Sequence, residues 1–394
     1  MFGRLVEFLG LQKYNQRTLP TPLSPCASEI SETSPGLVLA YDNDAHTDGA
    51  GAQLQRLLGI YAASKALGCQ YLHTGLNRGG YQGLAVVESG QEIENLHELY
   101  NQLFKLPSTQ FEEALFKEHI VHHKNPSIWK ISRLRNQMIS KKKWGLMLIT
   151  YPFKVADQFP ETYAVVQGLI NSNSWTKLDA AFYKLHSAQF NLEPQNQLVV
   201  GVHVRRGDLA TVAKSRLLTI DYYVNLCIGI QTILHERGQS AVFDIFTEIP
   251  VRKLAFTGHH GGLNRTSKRM VFKSDDVDLS GFSVLKNVRF RANEHQIPTI
   301  YNLCTADILV ASRSSFSYVA AIAGSRKIVF CPPFGSSLLE AWIETDPSSG
   351  KFDHEKFRQA LSNLTSGKPQ SANYFKEGRR LVGDERLELP TSSV

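Results

Sequence analysis

Two adjacent arginines, Arg205 and Arg206, are the residues of this chain best suited to binding an anion. They follow the apolar run Val199–Val204, which predicts a buried β-strand, and His203 and Asp208 flank them. In α/β proteins, ligands bind beyond the carboxyl ends of the strands, which is where this polar cluster lies. Arginine presents a fork of permanently charged donors that suits a phosphate or diphosphate. The segment therefore predicts an anion site; its alternative is a surface turn whose arginines are only solvated.

A second cluster combines hydroxyl groups with a predicted helix start. The apolar run that begins at Asp307 leads into Ser312, Ser314 and Ser315, and Phe316 follows. The first N–H groups of a helix have no partner within it, so they and serine hydroxyls can converge on a phosphate. Helix capping explains one serine without any ligand, but not three serines around an arginine. We expect Ser314, Ser315 and Phe316 to contact the same ligand as the arginines.

A glycine-containing loop lies between the first predicted strand and the first predicted helix. Gly49 and Gly51 would let the backbone approach a ligand closely, with Gln53 beside them. A tight turn without a ligand is the alternative. A dinucleotide-binding loop would need a third glycine at the position of Leu54, and this departure counts against an NAD-dependent oxidoreductase.

An acidic residue follows another predicted strand. Thr247 and Glu248 come directly after the run that begins at Ala241. A carboxylate at this point can accept two N–H bonds from the edge of a guanine base, which would favour GDP over UDP. The alternative is an exposed acidic turn.

Composition limits the partners of this chain. Its 394 residues are 42% hydrophobic and 20% charged, which is typical of a globular protein, and its net charge is +7. That charge suits nucleotide-sugars and allows peripheral association with an acidic membrane surface. The basic residues are spread out and show neither an RNA-binding signature nor zinc-finger spacing, so we expect no nucleic-acid partner. Five widely spaced cysteines and no secretory-type leader lead us to expect a cytoplasmic location.

The hydrophobic pattern predicts an α/β protein. Apolar strands alternate with helices in both halves, which indicates two Rossmann-like domains facing a cleft. We expect an extension over 1–36, a first domain over 37–193, a second domain over 198–365 and a poorly ordered tail over 366–394. The pattern also predicts mainly helix over residues 90–140 and a loop around residues 258–262.

Three of these segments resemble motifs of the α1,2-/α1,6-/protein-O-fucosyltransferase superfamily, whose members take fucose from GDP-fucose. Residues 203–208 (His-Val-Arg-Arg-Gly-Asp) match its His-x-Arg-Arg-x-Asp signature, with an ending closest to the α1,2 branch. Gly49, Gly51 and Gln53 match its Gly-x-Gly-Asn-Gln loop. The run from Ala306 resembles its Ala-Asp-x-x-Val…Ser-Ser motif.

The resemblance implies a GT-B fold and inverting transfer of L-fucose from GDP-fucose to a sugar hydroxyl of a glycan acceptor. It implies that the domain over 37–193 lies on the acceptor side and that the domain over 198–365 binds the nucleotide-sugar. It implies that Arg205, Arg206 and the serine cluster meet the diphosphate. Arg205 and the helix start would stabilise the leaving diphosphate without a metal or other cofactor. An inverting reaction needs a base on the acceptor hydroxyl. His203, Asp208, Asp44 and His46 stay open for that role.

The sequence departs from the family pattern at three positions. Ala52 replaces an asparagine, and Glu248 and Ile249 replace two aspartates. These departures leave two alternatives: a GT-B transferase that uses another nucleotide-sugar, and a nucleotide-sugar-binding protein without activity. Asp42 and Asp44 fit the Asp-x-Asp pattern of metal-dependent glycosyltransferases. Because short acidic patterns are common in loops, we expect no metal there.

Overall fold

The computed structural model describes most of the segments named above. The described residues are 35–43, 49–76, 96–109, 119–152, 160–190, 197–207, 209, 213–249, 254–259, 267–272, 278–324, 328–335 and 338–365. For the strands at 254–259 and 267–272 only the backbone is described. The expected tail, all but the end of the expected extension, and Asp44, His46 and Asp208 lie outside these ranges.

The first sheet has four parallel strands in the order β2-β1-β4-β3. The strands are β1 Leu37–Tyr41, β2 Gln70–Leu72, β3 Ile120–His123 and β4 Gly145–Ile149. The helices described in this half are α1 Ala50–Ala66, α2 Leu96–Leu103, α3 Ile128–Ser140 and α4 Ala180–His186. Short 3₁₀ turns span Pro160–Val166, Ser174–Lys177 and Ser187–Gln189. Every residue of β1 is buried, as is typical of a parallel sheet covered on both faces.

The second sheet has six parallel strands in the order β12-β11-β10-β5-β6-β9. The strands are β5 Leu198–Val204, β6 Ala241–Thr247, β9 Val288–Ala292, β10 Ile308–Val310, β11 Ile328–Cys331 and β12 Ile343–Glu344. The helices are α5 Ile220–Glu236, α6 Gln296–Thr305, α7 Ser315–Ala323 and α8 His354–Thr365. 3₁₀ turns span Lys214–Arg216 and Ser280–Val284. Two sheets of parallel strands with connecting helices confirm the predicted α/β class, and the domain boundaries stay a prediction.

Two expectations about local structure are corrected in part. The described residues within 90–140 are mainly helical, as expected, but they also contain the strand β3. An antiparallel hairpin of β7 (Leu254–His259) and β8 (Ser267–Phe272) includes residues 258 and 259 of the expected loop, and residues 260–262 lie outside the described ranges. β3 is an edge strand whose first three residues are exposed, so it lacks the buried apolar run that identifies a central strand. A weak sequence signal is what an edge position predicts.

Helix α5 is a core helix, although its composition resembles that of a membrane span. Residues 214–236 are long and apolar enough to cross a bilayer, but half of their most apolar 18-residue window is buried in this structure. The inward face packs beneath the second sheet through Tyr222, Leu226, Cys227, Ile230 and Ile233. Burial against the sheet therefore accounts for the apolar character of this helix.

The first turns of α1 and α7 pack against each other backbone to backbone. A side-chain carbon at Gly51 would lie 2.6 Å from the backbone nitrogen of Phe316 and 2.7 Å from its Cα. Each helix begins beyond the carboxyl end of a strand, α1 after β1 and α7 after β10. Contact between their first turns therefore brings the carboxyl edges of the two sheets to one region.

We predict that Gly51→Ala is destabilising although alanine favours helices. The added methyl group collides with backbone atoms of Phe316, which cannot rotate away, and overpacking of this kind costs about 1–3 kcal/mol. The free energy of unfolding in urea measures the effect. Gly49→Ser is the matched control, because a side chain at Gly49 meets nothing within 4 Å and serine is a good N-cap. A Gly51→Ala variant as stable as the unaltered protein would contradict the packing described here.

Candidate functional site

Strand β5 carries the arginine motif to the carboxyl edge of the second sheet. It lies between β10 and β6, so both of its neighbours hold it in register. Its last residues are buried, and the chain leaves the sheet at Arg205. The motif is therefore anchored by the sheet on one side and free to form a turn on the other, as the sequence predicted.

His203 joins the arginine motif to the serine cluster. Its Nδ1 lies 3.1 Å from the Ser312 hydroxyl, and its ring lies 5.6 Å from the ring of Phe316. Burial, together with the positive charge of Arg205, lowers the pKa of His203 to about 3. The imidazole is therefore neutral near pH 7. Its position beneath the turn suits it to orient the loop of residues 312–316 after β10, the serine loop. This geometry counts against His203 as the general base.

Acidification should destabilise the protein through His203. An unfolded chain protonates histidine near pH 6.5, whereas the folded protein holds the pKa of His203 near 3. Between these values the unfolded state binds a proton that the folded state does not. The contribution of His203 to the free energy of unfolding is therefore fully present above about pH 6.5. It decreases as the pH falls below that value, by up to about 1.4 kcal/mol per pH unit.

Urea unfolding of the unaltered protein and of His203→Gln between pH 7 and pH 4 measures this contribution. His203→Gln should lose less stability over that range, because its unfolded state has no histidine at position 203 to take up a proton. His354→Gln, which changes an exposed histidine, controls for removal of a histidine as such. Equal pH slopes in the unaltered protein and His203→Gln would contradict the assignment.

Arg205 and Glu248 form an ion pair at the ends of neighbouring strands. Nη1 of Arg205 lies 3.0 Å from Oε2 of Glu248, and each side chain is 20% exposed. Gly207 makes the turn possible, because its φ is +60° and a side chain there would collide with the Glu248 carboxylate. Arg205 and Glu248, for which we predicted the separate roles of diphosphate and guanine binding, are therefore partners in this structure.

Arg206 supports the turn from below. It is buried, and its Nη1 donates to the carbonyl oxygen of Arg205. Tyr223 lies in the same layer, where burial raises the pKa of its phenol and the charge of Arg206 opposes that change. Arg206 therefore stabilises the backbone that carries Arg205, and its contact with a ligand stays a prediction.

The serines of the second cluster have different roles. Ser314 is the N-cap of α7, and its hydroxyl accepts from the backbone N–H of Phe316. Ser317 is fully buried and bonds to the backbone of both Ser312 and Ser314. Ser315 and Phe316 are half-buried at the first turn of the helix. These bonds fix the shape of the loop, and Ser315 and Phe316 remain accessible to a ligand.

The glycine loop is explained in part by packing. Gly49 is the N-cap of α1, and no side chain completes that cap. Gly51 allows the close contact with Phe316 described above. Gln53 is completely buried, which counts against its predicted contact with a ligand. What this loop contributes to the site is the helix start itself.

Thr247 is the last residue of β6, directly before Glu248. It is 6% exposed, and its hydroxyl has no hydrogen-bond partner among the described residues. A buried hydroxyl without a partner carries a desolvation penalty, which a ligand or a water molecule can offset. Thr247 therefore fits the predicted role in base recognition at least as well as the engaged carboxylate of Glu248 does.

The described residues contain no group of three or more histidine, cysteine or carboxylate side chains placed to hold a metal ion. Asp42, part of the acidic pattern in the sequence, lies 3.3 Å from Nδ1 of His122 through its Oδ2. Asp44, His46 and Asp208 lie outside the described residues, so their predicted roles stay predictions.

Sequence reasoning missed three residues beside these groups. The buried hydroxyl of Tyr100 donates to the side chain of Gln296, and the negative charge of nearby Glu248 adds to the rise in its pKa that burial causes. Arg216 and Phe334 lie next to the serine loop. No spacing rule connects these positions to the motifs, because the contacts join segments far apart in the chain.

No protein-family model matches the chain, and no curated protein matches its sequence. The structure is weakly similar to POFUT1 in complex with GDP, at 9% identity and TM-score 0.35, over 75% of this chain and 97% of that one. The E. coli ADP-heptose lps heptosyltransferase II gives 10% identity, TM-score 0.36 and coverages of 84% and 99%. NodZ alpha-1,6-fucosyltransferase soaked with GDP-fucose is 10% identical, with a TM-score of 0.33, over 81% of this chain and 98% of that one. At TM-scores this low, the likeness by itself establishes neither a shared fold nor a shared activity.

Proposed function

We propose that this chain is a glycosyltransferase of GT-B type that binds the diphosphate of a nucleotide-sugar at the carboxyl edge of the second sheet. One observation carries the proposal: three segments far apart in sequence meet there. The arginine motif contacts the serine loop through His203 and Ser312, 3.1 Å apart. The start of α1 contacts the start of α7 through Gly51 and Phe316. Guanidinium groups and helix starts so gathered are suited to a diphosphate.

The proposed chemistry needs positive charge where the leaving group develops negative charge. Arg205 is the first residue after β5, and its side chain is partly exposed. The first turn of α7 adds the partial positive charge of a helix N-terminus, with Ser315 and Phe316 accessible. Fixed donors of this kind stabilise a leaving diphosphate without reorganisation. We therefore propose a reaction that uses no metal.

The finer proposal is inverting transfer of L-fucose from GDP-fucose to a hydroxyl of a glycan acceptor. It rests on the resemblance of residues 203–208, the glycine loop and the serine cluster to the fucosyltransferase superfamily. Within it, Thr247 and Glu248 are the residues placed to meet the guanine base. Asp208, Asp44 and His46 stay open as the general base, since the burial of His203 counts against that residue. A cytoplasmic location, with peripheral membrane association, belongs to the same proposal.

One observation favours a second candidate, a transferase that uses another nucleotide-sugar. Oxygen Oε2 of Glu248 already accepts from Arg205, so recognition of guanine by this carboxylate requires its remaining oxygen or a rearrangement of the pair. A base that needs no carboxylate would leave the ion pair intact. The choice of donor therefore depends on Glu248, and binding measurements decide it.

Calorimetric titration with GDP, UDP, ADP and NAD in the presence of EDTA tests this proposal. We expect GDP to bind most tightly, and the chelator to have no effect, because arginine and helix-start donors meet the charge. Tightest binding of ADP or UDP would support the second candidate. Binding that requires added manganese would contradict the metal-free mechanism. Binding of no nucleotide at all would overturn the proposed function.

Arg205→Lys should lower the rate at which the protein hydrolyses GDP-fucose to GDP more than it lowers the affinity for GDP. Lysine keeps the charge but loses the fork that meets two oxygens, and removal of one donor from such a site costs roughly 100-fold in rate. Glu248→Gln is the companion variant, because it weakens the ion pair and leaves Arg205 in place. A folded Arg205→Lys protein with a normal rate and a normal dissociation constant would show that the motif is only structural.

A further inference from the structure

Arg216 connects three loops at the carboxyl edge of the second sheet. Its Nε and Nη2 both donate to the carbonyl oxygen of Arg313, at 3.2 and 3.0 Å. Its guanidinium carbon lies 4.4 Å from the centre of the Phe334 ring. Arg216 follows β5, Arg313 follows β10 and Phe334 follows β11, and these strands are adjacent in the sheet. One side chain therefore ties together the loops of three neighbouring strands.

The contact between Arg216 and the serine loop is reciprocal. Arg313 sends Nη1 back to the carbonyl oxygen of Ser215, at 3.5 Å. Arg216 is itself linked to the arginine motif by successive backbone bonds. Leu209 donates to the carbonyl oxygen of Arg206, Ala213 donates to that of Leu209, and Arg216 donates to that of Ala213. A shift of the turn after β5 is therefore passed to the loop that opens α7.

Arg216 constrains the residue that directly precedes the N-cap of α7, because it bonds to the carbonyl oxygen of Arg313. Arg313 immediately precedes Ser314, the N-cap whose hydroxyl accepts from Phe316. A planar guanidinium group can bring two N–H donors to one carbonyl and lay its face on an aromatic ring at the same time. An ammonium group keeps the charge but loses this combination. The geometry therefore requires arginine rather than any cation.

We propose that Arg216 is a positioning residue for the diphosphate: it holds the Arg313 carbonyl so that the first turn of α7, where Ser315 is half-buried, and the Arg205 guanidinium meet the same ligand. This inference rests on the proposed function. Arg216 acts through the loop and need not touch the ligand.

Calorimetry of the full chain with GDP and with inorganic pyrophosphate, beside a thermal melt, tests the proposal. Arg216→Lys should weaken both ligands by the same factor, about 10- to 100-fold, as expected when a hydrogen bond to a charged group is lost. Equal losses place the effect in the diphosphate contacts. A role in stability alone would lower the melting temperature and leave the dissociation constants of the folded protein unchanged, which would overturn the inference.

Arg237→Lys is the matched control, because Arg237 also donates to a backbone carbonyl, that of Arg358, in a different part of the chain. It should bind both ligands normally. If Arg216→Lys does not fold, Phe334→Leu removes the flat face under the guanidinium and should weaken pyrophosphate about 2- to 5-fold. Normal binding by that variant would overturn the inference. An unaltered protein that binds neither ligand would overturn the proposed function itself, so the two failures are distinguishable.

Discussion

The first turns of α1 and α7 can meet only because Gly51 presents no side chain to the backbone of Phe316. This contact joins an element that follows the first strand of the first sheet to one that follows a central strand of the second. The apolar core continues through it, with Leu54, Leu58, Val319 and Ile322 in one cluster. The carboxyl edges of both sheets are therefore brought together by close packing of backbone. Polar side chains that follow either sheet can then contribute to a single site.

Around that contact, most of the polar groups described above are paired with a second group, and the Thr247 hydroxyl is an exception. His203 is neutral because it is buried beside an arginine, and a neutral imidazole can share a proton with Ser312 without adding charge beneath the turn. Arg205, in contrast, is paired with Glu248 in a partly exposed position. The partly exposed Arg205 therefore presents its charge at the surface of the site, while the buried Arg206 bonds to the backbone of the turn. This distribution suits a site that takes up a multiply charged anion and releases it again.

The ion pair between Arg205 and Glu248 links the two halves of the proposed ligand, its diphosphate and its base. In the proposed function, a diphosphate and the Glu248 carboxylate would compete for the Arg205 guanidinium. Gly207 is required for the pair, since any larger residue would collide with Glu248. The segment from His203 to Gly207 is therefore a structural unit, in addition to its proposed contacts with a ligand. Its resemblance to a fucosyltransferase motif is consistent with both roles.

Local sequence patterns were sufficient to predict the α/β class, the strand Leu198–Val204, the helix Ser315–Ala323 and the position of the arginine motif at a strand end. These features depend on local pattern, since buried strands and capped helix starts are specified by neighbouring residues. The edge strands β3 and β9 were missed, because an exposed edge carries little of that pattern. Only the fold shows three further features: the ion pair of Arg205 with Glu248, the burial of Gln53 and the hydrogen bonds from Arg216 to the Arg313 carbonyl. Each joins or encloses residues through segments distant in the chain, and no local spacing encodes which distant group a side chain will meet.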